Sequence, residues 1–136
     1  MPTPPQPSHG LHLMAELHGC GCAVAGLCDA TWLRALCLAE VHRAGLHVVG
    51  ELFHSFAPEH PETPAGVTGV LLLAESHLAL HTWPELGLVT LDIYVCNRSH
   101  DAGPAARRVF EALVEHFAPQ RVVHREVDRS AVCAAG

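Results

Sequence analysis

From Leu88 to Cys96 apolar and polar side chains alternate: Leu91, Ile93 and Val95 take one parity, Asp92, Tyr94 and Cys96 the other. Successive side chains of a strand point to opposite faces. This segment is therefore a strand with one face in a core and the other carrying polar groups and a thiol. A sheet with one apolar face needs a covering layer, and two segments can supply it. The first is a helix over residues 30–44, with Asp29 as N-cap, Leu33, Leu36, Cys37 and Val41 on one face, and Gly45 as its left-handed end. The second starts at Pro104, carries the stripe Val109, Phe110, Leu113 and Phe117, and stops at Pro119.

Alternation or a near-continuous apolar run predicts further strands at 11–17, 47–53, 67–74 and 120–128, with a proline-rich loop from Phe53 to Gly66. The expected fold is α+β: a two-layer sandwich of a mainly antiparallel sheet with two helices on one face. A length of 136 residues suits one domain, and 49% hydrophobic against 16% charged residues suits a folded one. The domain is expected over 10–129, between a proline-rich leader at 1–9 and a loose tail at 130–136.

A formal net charge of −6 argues against a broad nucleic-acid footprint. No apolar run approaches the roughly 20 residues that span a bilayer. Residues 1–8 lack the layout of a secretion signal. The expected location is the cytoplasm, with the six cysteines as reduced thiols. Cys20, Cys22 and Cys28 with His18 lack the paired spacing of structural zinc, and no metal site is expected.

The chemistry concentrates in Glu75-Ser76-His77-Leu78-Ala79-Leu80-His81-Thr82-Trp83-Pro84-Glu85, with Cys96 fifteen residues past His81. A hydroxyl nucleophile, two imidazoles, two carboxylates and a thiol exceed what a core needs. Ser76 taken alone reads as a turn residue, Thr68 as a strand residue and Cys96 as a small core hydrophobe. Parity adds a constraint. Ser76 and His81 are an odd number of residues apart, so on one regular strand they face opposite sides. Serving one site requires a bend or a break between them, and a cut at Glu75–Ser76 removes the constraint.

These residues resemble the prokaryotic S-adenosylmethionine decarboxylases. That family's pattern is a Gly-Val-Ser-Gly strand, Glu-Ser-His, a His-Thr-Trp-Pro-Glu turn and a strand ending in cysteine. Here stand Gly66-Val67-Thr68-Gly69, Glu75-Ser76-His77, His81-Thr82-Trp83-Pro84-Glu85 and Asp92 to Cys96. Phe53-His54-Ser55-Phe56 and Gly10-Leu11-His12 with Glu16 also look like family elements.

The resemblance implies that the Ser76 hydroxyl attacks the Glu75 carbonyl and forms an ester. Elimination and hydrolysis then leave chains 1–75 and 76–136, with a pyruvoyl group derived from Ser76. That cofactor forms a Schiff base with the substrate amine and acts as an electron sink while carbon dioxide leaves. The resemblance further implies that Cys96 is the proton donor, that His81 assists processing and that Thr68 hydrogen-bonds the processing intermediate beside Glu75. Phe56 and Glu85 are implied to bind substrate. The implied protein is a homodimer of cleaved protomers, with residues of both near each site, in spermidine and polyamine synthesis.

Departures fall away from Ser76, His81 and Cys96. The Ala57–Ala65 connection is long, Leu86-Gly87-Leu88 replaces the family's Tyr-Gly-Tyr, and Asn97 stands where a glycine is usual. They leave two alternatives open: the same scaffold decarboxylating L-ornithine or L-arginine, and an unprocessed regulatory homologue without catalysis.

Overall fold

A computed structural model describes residues 8–97 and 100–131. Its elements run β1 (Ser8–His18), α1 (Val24–Cys28), α2 (Ala30–Arg43), β2 (Val48–Ser55), β3 (Val67–Leu73), β4 (Ser76–Trp83), a single 3-10 turn (Pro84–Leu86), β5 (Leu88–Cys96), α3 (Gly103–Phe117) and β6 (Arg121–Ala131). The six strands form one sheet in the order β2-β3-β4-β5-β1-β6, every neighbour antiparallel.

The alternation of β5 is realised along its length. Val89, Leu91, Ile93 and Val95 are buried, while Thr90, Asp92, Tyr94 and Cys96 are half-buried on the other face. Leu13, Ala15 and Leu17 of β1, Leu71 and Leu73 of β3, and Leu78 and Leu80 of β4 join the same core. The helices close it. α2 contributes Leu33, Cys37 and Val41, and α3 contributes Ala106, Val109, Phe110, Leu113 and Phe117. Burial of this kind is worth about 25 cal/mol per Å² of apolar surface, and it rather than helix propensity holds the short helices in place.

Local signals act where the sequence puts them. The Asp29 carboxylate accepts the N–H groups of Thr31 and Trp32 at 3.0 and 3.2 Å, satisfying two orphan donors of α2. Gly45 ends that helix at φ +80°. Ala118 takes φ +48° after α3, and Pro119 follows.

Four expectations need correction. Among the described residues the helices number three, because the short α1 follows the Gly19–Cys22 break with no apolar period long enough to announce it. The segment read as a serine at a strand end followed by a turn is a full strand, β4, and only Pro84–Leu86 turns. β1 begins at Ser8, inside the stretch expected as a leader, and β6 runs past Arg129 to Ala131. The rest of the leader, 1–7, and of the tail, 132–136, lies outside the described residues. No helix among the described residues is long and apolar enough to cross a membrane.

Candidate active site

Two glycines of the motif at 66–69 are fixed by close approach. A Cβ on Gly66 would lie 2.0 Å from the carbonyl oxygen of Thr82, so the chain entering β3 can press against β4 only without a side chain there. Opposite Gly69 in the ladder stands Phe53 of β2, whose ring would meet a Cβ at 2.3 Å. The ring covers the space that the glycine leaves.

β3 and β4 join through Ala74 and Glu75 alone, and Leu73 pairs with Ser76. Glu75 sits at φ +60°. A residue with a Cβ is held in the left-handed region there, at a cost of roughly 1–2 kcal/mol. The strained residue is the one before Ser76. The Ser76 Oγ accepts the backbone N–H of Cys96 at 3.2 Å. An N–H aimed at a hydroxyl oxygen favours negative charge on that oxygen, which is what a nucleophilic serine develops. Ser76 and Cys96 line one cavity of about 540 Å³, together with Glu75, His47, His100 and Ala102.

At the other end of β4, the Nδ1 of His81 and the Oγ1 of Thr68 are hydrogen-bonded at 3.0 Å across the β3–β4 ladder. They line a second cavity of about 410 Å³ with Phe56, Trp83 and Glu85. Ala57, Pro58, Thr63 and Pro64, from the long connection, form its outer wall. Phe56 is exposed just past β2 and packs edge-on to His54, their centroids 4.8 Å apart.

The parity constraint holds without a bend. Ser76 shares its parity with the buried Leu78, Leu80 and Thr82, whereas His77, Ala79 and His81 face away from the helices. At about 3.3 Å per residue, five residues set Ser76 and His81 roughly 16 Å apart. One protomer thus presents two separate clusters: Ser76 with Cys96, and His81 with Thr68, Phe56 and Glu85.

Thr82 and Asn97 have roles that motif reasoning did not assign. Thr82 is buried; its Oγ1 donates to the Leu27 carbonyl at 2.6 Å and accepts the Val67 N–H at 2.9 Å. It ties α1 and β3 to the reactive strand. Deleting that hydroxyl leaves a buried donor and acceptor unpaired, at about 1–3 kcal/mol each. The Asn97 Oδ1 accepts the Ala102 N–H at 2.8 Å, closing the connection into α3.

Burial pushes the Cys20 thiol up to about 11, with Cys22 adding to the rise, and pushes Cys37 up to about 12. Cys20, Cys22, Cys28, Cys37 and Cys96 are all free thiols. Among the described residues, the one group of three metal-capable donors close enough to share an ion is His12, His77 and Asp92, on the sheet face away from the helices.

A single antiparallel sheet, helices on one face and a strained hairpin residue before Ser76 define the class: a two-layer α+β protein. Residues 11–130 match the profile of the S-adenosylmethionine decarboxylase family, and the chain belongs to it. It is 35% identical over 120 residues to the S-adenosylmethionine decarboxylase proenzyme of Archaeoglobus fulgidus, covering 88% of this chain and 96% of that one. The proenzyme of Acetivibrio thermocellus is 33% identical over 120 residues, covering 88% and 87%. The adenosylmethionine decarboxylase of Aquifex aeolicus superposes with a TM-score of 0.79 at 29% identity, over 96% of this chain and 98% of that one.

Proposed function

We propose that this chain is a self-processing, pyruvoyl-dependent S-adenosylmethionine decarboxylase of polyamine synthesis, acting in the cytoplasm. The observation that carries the reading is the Glu75–Ser76 junction. A left-handed non-glycine residue precedes a serine whose Oγ already receives a backbone N–H, beside a cavity that also holds a thiol. The relatives' designation as proenzymes agrees with a chain that matures by cutting itself.

The residues present fit a pyruvoyl group at position 76, because the cavity leaves room beside it. When formed, that group supplies an electron sink for the substrate carbon that loses carbon dioxide. The chain's own residues do the rest. Cys96 donates the proton that replaces the carboxylate, the role of a general acid. His81, oriented by Thr68, moves protons during processing. Phe56 offers its ring to the adenine and Glu85 its carboxylate to the nucleoside.

The separation of the two clusters supports a homodimer in which Ser76 and Cys96 of one protomer meet His81, Thr68, Phe56 and Glu85 of the other. The sheet face opposite the helices is uncovered: Leu52 is 68% exposed and Leu72 50%. Exposed apolar side chains on an uncovered sheet face mark where a second copy packs.

Carbon dioxide release measured separately from S-adenosylmethionine, L-ornithine and L-arginine tests the substrate, and release from S-adenosylmethionine alone is expected. Release from a basic amino acid alone transfers the same chemistry to the alternative substrate. A second expectation concerns Cys96→Ala. The variant keeps its backbone N–H, so denaturing mass spectrometry should show normal cleavage while turnover falls roughly 100- to 10,000-fold, the range for losing a general acid. Turnover at the wild-type rate would remove the thiol from the mechanism.

A further inference from the structure

In register across β1, β5 and β4 stand His12, Tyr94 and His77, all on the face away from the helices. Both imidazoles flank the Tyr94 ring, at centroid distances of 6.0 and 5.7 Å. Both lean along the sheet to Asp92, two residues back on β5. The Nε2 of His12 lies 3.1 Å from Asp92 Oδ1, and the Nε2 of His77 lies 3.3 Å from the same oxygen.

A carboxylate offers about four acceptor sites over two oxygens, so two hydrogen-bond donors have no need to crowd one atom. The spacing matches a different arrangement. Ligands about 2.0–2.1 Å from a tetrahedral zinc ion lie about 3.3 Å from one another. All three donor atoms fall within 4.8 Å of each other, and in the single protomer the side chains keep 18%, 38% and 33% exposure for His12, His77 and Asp92, on the face where the proposed second copy would pack. Two imidazoles and one carboxylate are a donor set that suits zinc and its neighbours, with a fourth position left for water.

We propose that His12, His77 and Asp92 form a divalent transition-metal site of the zinc type on the open face of the sheet. It lies on the opposite face from the Ser76 side chain. The sequence could not show it, because His12 and Asp92 stand 80 residues apart and come from different strands. The site has a consequence for the active centre, and that consequence alone rests on the proposed function. His77 is the second residue of the fragment released by the cut, so an ion would fasten the new chain end to β5 and β1.

The test is a titration of the chelator-treated full chain with Co²⁺, followed by visible absorption. The expected result is nitrogen–oxygen coordination saturating at a single equivalent per chain and displaced by Zn²⁺. His12→Gln and Asp92→Asn, checked by circular dichroism, should weaken binding by more than the roughly 10- to 100-fold that outer-shell partners command. If neither variant folds, Co²⁺ added to the wild-type chain should perturb the ring resonances of two histidines among the twelve. Absence of visible absorption, perturbation of other histidines, or a thiolate-to-cobalt charge-transfer band that survives both substitutions overturns the site. Titrating Ser76→Ala in parallel separates this outcome from failure of the cleavage reading, since metal binding does not require the cut.

Discussion

Ser76→Ala is expected to leave the protein as one uncut chain of 14.6 kDa with no detectable decarboxylation. The substitution removes only the hydroxyl, the proposed nucleophile for the Glu75 carbonyl and then the ester oxygen whose elimination leads to the pyruvoyl group. The rest of the local structure should persist. Ser76 is half-buried at the start of β4, and its one recorded bond, from the Cys96 N–H, is a neutral contact worth about 0.5–1.5 kcal/mol. A folded but uncut and inactive variant therefore separates loss of chemistry from loss of structure. Denaturing mass spectrometry with circular dichroism checks it, and cleavage in the alanine variant contradicts it.

Co-producing two dead variants in one cell should restore activity. Ser76→Ala lacks the nucleophile and His81→Ala the base, and each homodimer is expected to be inactive. If each site takes Ser76 from one protomer and His81 from the other, a mixed dimer rebuilds one of its two sites. With random pairing, half the dimers are mixed and half of their sites are whole, so about a quarter of wild-type activity returns. The separation of roughly 16 Å along β4, with the two side chains on opposite faces, motivates this result. Persistently zero activity in a sample shown to contain mixed dimers would place both groups in one chain and require β4 to rearrange before the cut.

Local alternation and caps made much of this fold legible. The parity of β5, the Asp29 cap and the α3 stripe all act through neighbours a few residues away, which a linear pattern records. β4 was misread because Ser76, His77 and His81 look like site chemistry rather than strand surface, while the strand's β identity comes from pairing with β3 and β5. α1 went unseen since five residues carry too little periodicity, and it is held to the sheet by the buried Leu27 and the hydroxyl of Thr82. The odd spacing of Ser76 and His81 did announce that they diverge. What that spacing left open was whether the chain bends; the ladder shows that it does not. The His12–Asp92–His77 group joins three strands, and only the assembled sheet reveals it.

The reading stands or falls on the chemical nature of residue 76 in active protein. The direct measurement is the mass of the fragment beginning there, after borohydride treatment of a fully active sample with and without S-adenosylmethionine. The account predicts two chains, the second blocked at its amino end and gaining the mass of a reduced substrate adduct only when substrate is present. A fully active sample whose residue 76 is an ordinary serine, in a cut or an uncut chain, contradicts it.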